Sequence, residues 1–223
     1  MLARLVTEFI GTFVLVATIG FTVLQDSPFA PLAIGAALMI AVYMGGHISG
    51  GHYNPAVSLG VWMRGKLEAR MLPAYMAAQL VGAAAAALFV QALMAATFVP
   101  EPGPTATMVD ALLAEIVFTF VLVLVVLNVA TDEATAGNSY YGLAIGFTVV
   151  VGAYAVGAVS GGAFNPAVGL GPALVHAAGG NPVGHAWLYL LGPLVGGAVA
   201  AGVYRLQHPA LTTPAAVPPP LGG

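Results

Sequence analysis

One segment of this chain occurs twice. The nine residues from Ser49 to Val57, SGGHYNPAV, return 111 positions later as SGGAFNPAV from Ser160 to Val168. The copy is not isolated. EFIGTFVLV, starting at Glu8, matches EIVFTFVLV starting at Glu115, 107 positions on. Leu32-Ala33-Ile34-Gly35 recurs at Leu143, again offset by 111, and Leu80-Val81-Gly82 recurs at Leu194, offset by 114. Four matches in one order with a nearly constant offset define an internal repeat, whose copies we read as 1–107 and 108–207. A chain built this way must satisfy one set of local rules twice, and that limits its folds more than any composition figure does.

The solvent of the repeat follows from charge. Only 5 Lys or Arg and 8 Asp or Glu occur in 223 residues, 6% of the chain, against roughly a quarter in a soluble domain. So few charges cannot cover a water-soluble body of this size, and the mean hydropathy of +0.96 agrees. The chain is expected to be an integral membrane protein. With a net charge of −3 and no basic cluster, nucleic acid is not an expected partner. There is no cysteine, hence no thiolate nucleophile or cysteine metal site. Arg4 runs straight into a spanning-length apolar stretch, unlike a cleaved signal peptide.

A bilayer core takes about 20 apolar residues per helix. Six stretches qualify: 5–24, 30–48, 71–97, 109–130, 140–159 and 185–205. Two shorter pieces, 54–63 and 165–175, begin at Asn54-Pro55 and Asn165-Pro166. Asparagine as cap with proline at the first helical position marks a helix start. Short helices at membrane depth survive only buried in protein or lining a cavity, so these read as re-entrant half-helices. Each copy then holds three spans and one half-helix. Three is odd, so the second copy enters the membrane inverted, and the two Asn-Pro ends meet near the midplane. Arg4, Arg64, Lys66, Arg70 and Arg205 all fall on one side if both termini are cytoplasmic. The Pro-rich tail, 208–223, is expected to be disordered.

Two half-helix N-termini aimed at one spot place there two positive dipole ends of about half a charge each. Asn54 and Asn165 add amide donors. The segments Gly50, Gly51, His52, Tyr53 and Gly161, Gly162, Ala163, Phe164 can offer backbone carbonyls along the same path. A lining of neutral donors and acceptors with a positive centre suits uncharged polar solutes and opposes cations.

On HISGGHYNPAV, SGGAFNPAV and the Gly171-Pro172-Ala173 that follows, the chain resembles the aquaporin and aquaglyceroporin family, the major intrinsic proteins, over residues 4–205. The resemblance implies an all-α membrane fold of six transmembrane helices plus two half-helices, a homotetramer with one pore per subunit, and a passive channel for water and small neutral solutes in the lipid bilayer. It implies no cofactor and no catalysis. The pore motifs carried over are Asn54, Pro55, Ala56 and Asn165, Pro166, Ala167. Glu8 and Glu115 are the acids deep in apolar runs; they are read either as a proton relay or, as the resemblance implies, as acceptors bracing the re-entrant loops, with His52 among their partners. No acid or cysteine joins His47 and His52 at ligand spacing, so no metal site is expected. His176, His185 and His208 carry no evident role.

The departure from the family is at its narrow outer constriction. Most members place an arginine directly after the second Asn-Pro-Ala; here Val168 follows. By family spacing its companions are Ile34, Ala153 (Gly152 and Tyr154 being its neighbours in register) and Gly162. Losing a guanidinium removes five donors and a fixed charge, so the constriction should be wider, drier and less orienting. Polyols, urea-like amides, metalloid hydroxides such as arsenous acid, and organoarsenicals become candidate solutes; the resemblance includes divergent bacterial members that lack the arginine and facilitate arsenicals. A bacterial plasma membrane is therefore the expected location. A mainly water-conducting pore with another side chain replacing the arginine, and a secondary transporter built on the inverted repeat, stand as alternatives. So do a membrane hydrolase, for which no Ser/His pair is evident, and a non-conducting junctional protein.

Overall fold

The apolar runs fold as helices because lipid offers the backbone no hydrogen bonds, and a helix supplies all of them internally. The structure is a computed structural model and describes residues 1–209. Eight α-helices occur there: α1 Leu2–Leu24, α2 Ala30–Ser49, α3 Pro55–Met63, α4 Met71–Met94, α5 Met108–Ala130, α6 Tyr141–Ser160, α7 Pro166–Ala178 and α8 Ala186–Gln207. A 3-10 turn, Glu133–Thr135, lies between α5 and α6. Among the described residues there is no strand, and α1, α2, α4, α5, α6 and α8 are each long and apolar enough to cross a membrane. The third span stops at Met94, three residues short of expectation, because Ala95 turns left-handed at φ +53°. The second half-helix runs to Ala178, past the expected 175, and ends at Gly179. Of the tail read as 208–223, all but His208 and Pro209 lies outside the described residues.

Packing repeats as the sequence does. Helix α1 lies against α2 and α4, and α5 lies in the same way against α6 and α8. Helices α2 and α6 pair across the centre. Each half-helix also reaches the other copy: α3 packs on α8 and α7 packs on α4. Glycines permit these approaches. A β-carbon on Gly146 of α6 would lie 2.5 Å from the Gly35 carbonyl oxygen of α2, and one on Gly192 of α8 would lie 2.8 Å from the Glu115 β-carbon of α5. Thr7, Thr12, Thr18 and Thr148 satisfy their hydroxyls on carbonyls four residues back, Thr12 on that of Glu8 at 2.7 Å, whereas the buried Thr119 hydroxyl has no hydrogen-bond partner among the described residues. Leu88, Leu93, Val109 and Leu113 remain exposed, a surface suited to lipid.

Candidate functional site: a pore between two re-entrant loops

Each half-helix starts as the dipeptide requires. Asn54 is extended (φ −155°, ψ 121°), and its side-chain oxygen accepts from the Ala56 amide at 2.8 Å; Asn165 repeats this with Ala167 at 2.9 Å. The preceding loops turn sharply. Gly50, Gly51 and Tyr53 have φ of +95°, +63° and +50°; Gly161, Gly162 and Phe164 have +85°, +65° and +49°. Positive φ is costly for an aromatic residue, and a buried carboxylate behind each loop holds it there. Glu8 Oε1 accepts from Ser49 Oγ (2.6 Å) and the His52 amide (3.0 Å), and Oε2 from the Tyr53 amide (2.7 Å) and Gln79 Nε2 (2.8 Å). Glu115 accepts from Ser160 Oγ (2.8 Å) and the amides of Ala163 (3.0 Å) and Phe164 (2.7 Å). His52 thus reaches Glu8 through its backbone, while its Nδ1 lies 3.1 Å from Ser58 Oγ.

The two loops are tied to each other. Asn54 Nδ2 donates to the Phe164 carbonyl and Asn165 Nδ2 to the Tyr53 carbonyl, both at 2.9 Å. An amide nitrogen carries two hydrogens, so each asparagine keeps one for the cavity that both of them line.

That cavity, of about 440 Å³, holds Ile34, Ala153, Gly162 and Val168 in its wall together with Leu15, Ile145 and the segment Phe98–Glu101. Gly152 lies instead against the Phe164 and Phe118 rings, and the Tyr154 hydroxyl faces the Pro28 carbonyl at 3.4 Å. A second cavity of about 400 Å³ is lined by Arg4, His47, Gly50, Lys66 and Tyr75. His52 and Val126 border both, and there the two meet. Of the residues expected to present carbonyls, Gly51, His52, Gly161 and Ala163 line the first cavity and Gly50 the second. Tyr53 and Phe164 line neither. Their carbonyls take the asparagine amides and their rings are buried in the core.

Sequence reasoning missed several partners. Gln79, fully buried, joins Glu8 to Ser58 Oγ (2.9 Å); an amide inside an apolar run, one of two with Gln91, was its signal. His176 Nδ1 pairs with Thr97 Oγ1 at 2.6 Å. His208 Nε2 lies 2.9 Å from Asp132 Oδ2, and its ring stacks on Tyr204 at 4.2 Å. The Tyr204 hydroxyl donates to Asp132 at 2.5 Å and, with the Ala134 amide, His208 and Arg64, holds that carboxyl below its usual range. Among the described residues no group of three or more His, Cys, Asp or Glu is placed to hold a metal ion.

Six spanning helices enclosing two half-helices, whose capped starts meet on a wall of neutral donors and acceptors, define a membrane channel for small solutes. The family profile of the Major intrinsic protein matches residues 1–204. Aquaporin NIP1-4 of Oryza sativa subsp. japonica is 37% identical over 214 residues, 92% of this chain and 77% of that protein. Nodulin-26 of Glycine max is also 37% identical, over 92% of this chain and 78% of its own. The X-ray structure of the aquaglyceroporin from Plasmodium falciparum superposes with a TM-score of 0.83 at 26% identity, covering 95% of this chain and 98% of that one. The chain belongs to the major intrinsic protein family: it is an integral membrane channel and not an enzyme. These curated relatives are plant proteins, so they lend no support to the bacterial membrane expected above.

Proposed function

We propose that this channel passes uncharged solutes larger than water, polyols and metalloid hydroxides such as arsenous acid, through an arginine-free filter made by Ile34, Ala153, Gly162 and Val168. The observation that carries this reading is the wall of the first cavity. All four residues line it. No Lys or Arg of the described residues lines the wall where the resemblance puts an arginine, which supports this reading over a mainly water-conducting pore. Both termini are taken as cytoplasmic, since Arg4 and Lys66 line the mouth of the second cavity and cations collect on the cytoplasmic side. The first cavity then opens outward. A homotetramer, implied by family resemblance, completes the reading; the mass of the detergent-solubilised particle tests it.

Flux measured by stopped flow in proteoliposomes tests the solutes. Glycerol, urea and arsenous acid should each enter faster than into protein-free vesicles. Water flux without them would favour the water-channel reading. Saturable uptake coupled to an ion gradient would favour a transporter.

A further inference from the structure

Residues 95–107 join α4 to α5 across the mouth of the first cavity, and two close contacts seat them on the second re-entrant loop. The Gly103 amide donates to the Val159 carbonyl at 3.0 Å. A β-carbon on Gly161 would lie 2.9 Å from both the backbone nitrogen and the carbonyl oxygen of Glu101, and one on Gly103 would collide with the Ala158 carbonyl. Neither position admits a side chain, so the path of the segment is set by the loop beneath it. Glu101 is thereby held beside Gly161, the neighbour of filter residue Gly162.

Glu101 lines the outer cavity, and among the lining residues it alone is an acid or a fixed charge. Its carboxylate makes no hydrogen bond or ion pair among the described residues. On its other flank it borders a small recess with His185 and Tyr189. The cavity lacks the fixed positive charge that the resemblance would put at Val168, and its mouth carries a negative one at Glu101. We propose that Glu101 sets the charge selectivity of the outer mouth: its carboxylate turns anions away and accepts hydrogen bonds from the hydroxyl or amide groups of entering neutral solutes. The solute then passes from an acceptor at the mouth to the amide donors of Asn54 and Asn165 at the centre. The inference rests on the filter reading for the identity of the neutral solutes, but not for the anion barrier. A unit charge about one Debye length (~8 Å) from an ion's path alters its local concentration by roughly three- to thirtyfold, depending on screening.

The test compares wild type, Glu101→Gln and Glu101→Lys in proteoliposomes, with nitrate, glycerol and water as probes. Nitrate permeability should rise from wild type to Gln to Lys, by about three- to thirtyfold for the first step, and the differences should shrink in high salt. The yield of monodisperse protein in detergent should match across the three, because the exposed side chain supports no packing, and it normalises the fluxes. Nitrate permeability equal in all three proteins overturns the proposal. Glycerol exclusion by the wild type with the nitrate order intact would sink the filter reading and leave Glu101 in its role. Glycerol passage without the nitrate order would do the reverse.

Discussion

The two re-entrant loops share a backbone and differ in what stands behind it. Behind the first, Glu8 is linked through Gln79 to Ser58, and Ser58 to the ring of His52. Behind the second, the corresponding positions hold Glu115, Pro193, Gly169 and Ala163, and the polar chain ends at the carboxylate. The pore walls differ less. Ile34 and Ile145, Gly51 and Gly162, Val57 and Val168, Asn54 and Asn165 are repeat partners, and all eight line one cavity. The two copies share the scaffold and most of the wall, while the polar chain behind the loop is present in the first copy and absent from the second. In the first cavity, whose proposed filter has no side-chain donor, that asymmetry leaves His52 and Glu101 as the charged or titratable residues of the wall.

The largest effect should come from the carboxylates. Glu8→Leu strands four donors and Glu115→Leu three, each costing about 1–3 kcal/mol when buried without a partner. Both variants should fail to accumulate as folded protein. The milder Glu8→Gln should lower the thermal midpoint in detergent more than Glu115→Gln; equal losses would break the comparison between the loops. Next in size, Val168→Arg should cut glycerol and arsenous acid flux by about tenfold and water flux by about twofold or less, since a guanidinium fills space and supplies donors that water can use. Equal loss for all three solutes would place Val168 away from the constriction.

A smaller change is expected at the centre. Asn54→Asp and Asn165→Asp each set a negative charge against two positive dipole ends, so both should raise sodium leak several-fold and by similar amounts. A leak in one variant alone would show that the two ends are unequal. The smallest effect lies at the corner built by Asp132, Tyr204 and His208. Because its folded-state carboxyl titrates below the usual value, Asp132 stabilises this corner above the ordinary carboxylate range, and the contribution is lost as pH falls through the lowered value. The protection of amides 131–140 relative to their intrinsic exchange rate should therefore fall in acid, and Asp132→Asn should lower it at neutral pH as well.

Much of this was legible in the residues. The spans show because lipid tolerates little else, and Asn54 and Asn165 show because capping chemistry is local and appears twice. Glu8 and Glu115 stand out as acids in apolar runs. Glu101 does not: its place depends on where Gly103 and Gly161 let a loop settle, and neither contact is near in sequence. Gln79 reads as one polar residue among apolar ones, and its partner Ser58 lies 21 positions away. His176 and His208 look idle until folding brings Thr97 and Asp132 beside them. Contacts made within one helical turn, or repeated in both copies, can be read ahead; those made once by packing, as at Gln79, Glu101 and His176, cannot.

The crossed asparagine bonds also bear on how the chain is made. Asn54 donates to Phe164, 110 residues later, and Tyr53 waits for Asn165 across 112. At a synthesis rate of about 5–20 residues per second, roughly 5–20 seconds separate the making of the first loop from the making of its counterpart. Glu8 can hold its backbone through that interval, since every donor it receives comes from the first copy. The first half of the pore thus carries its own brace, and it has no need of the second half to hold its loop in shape.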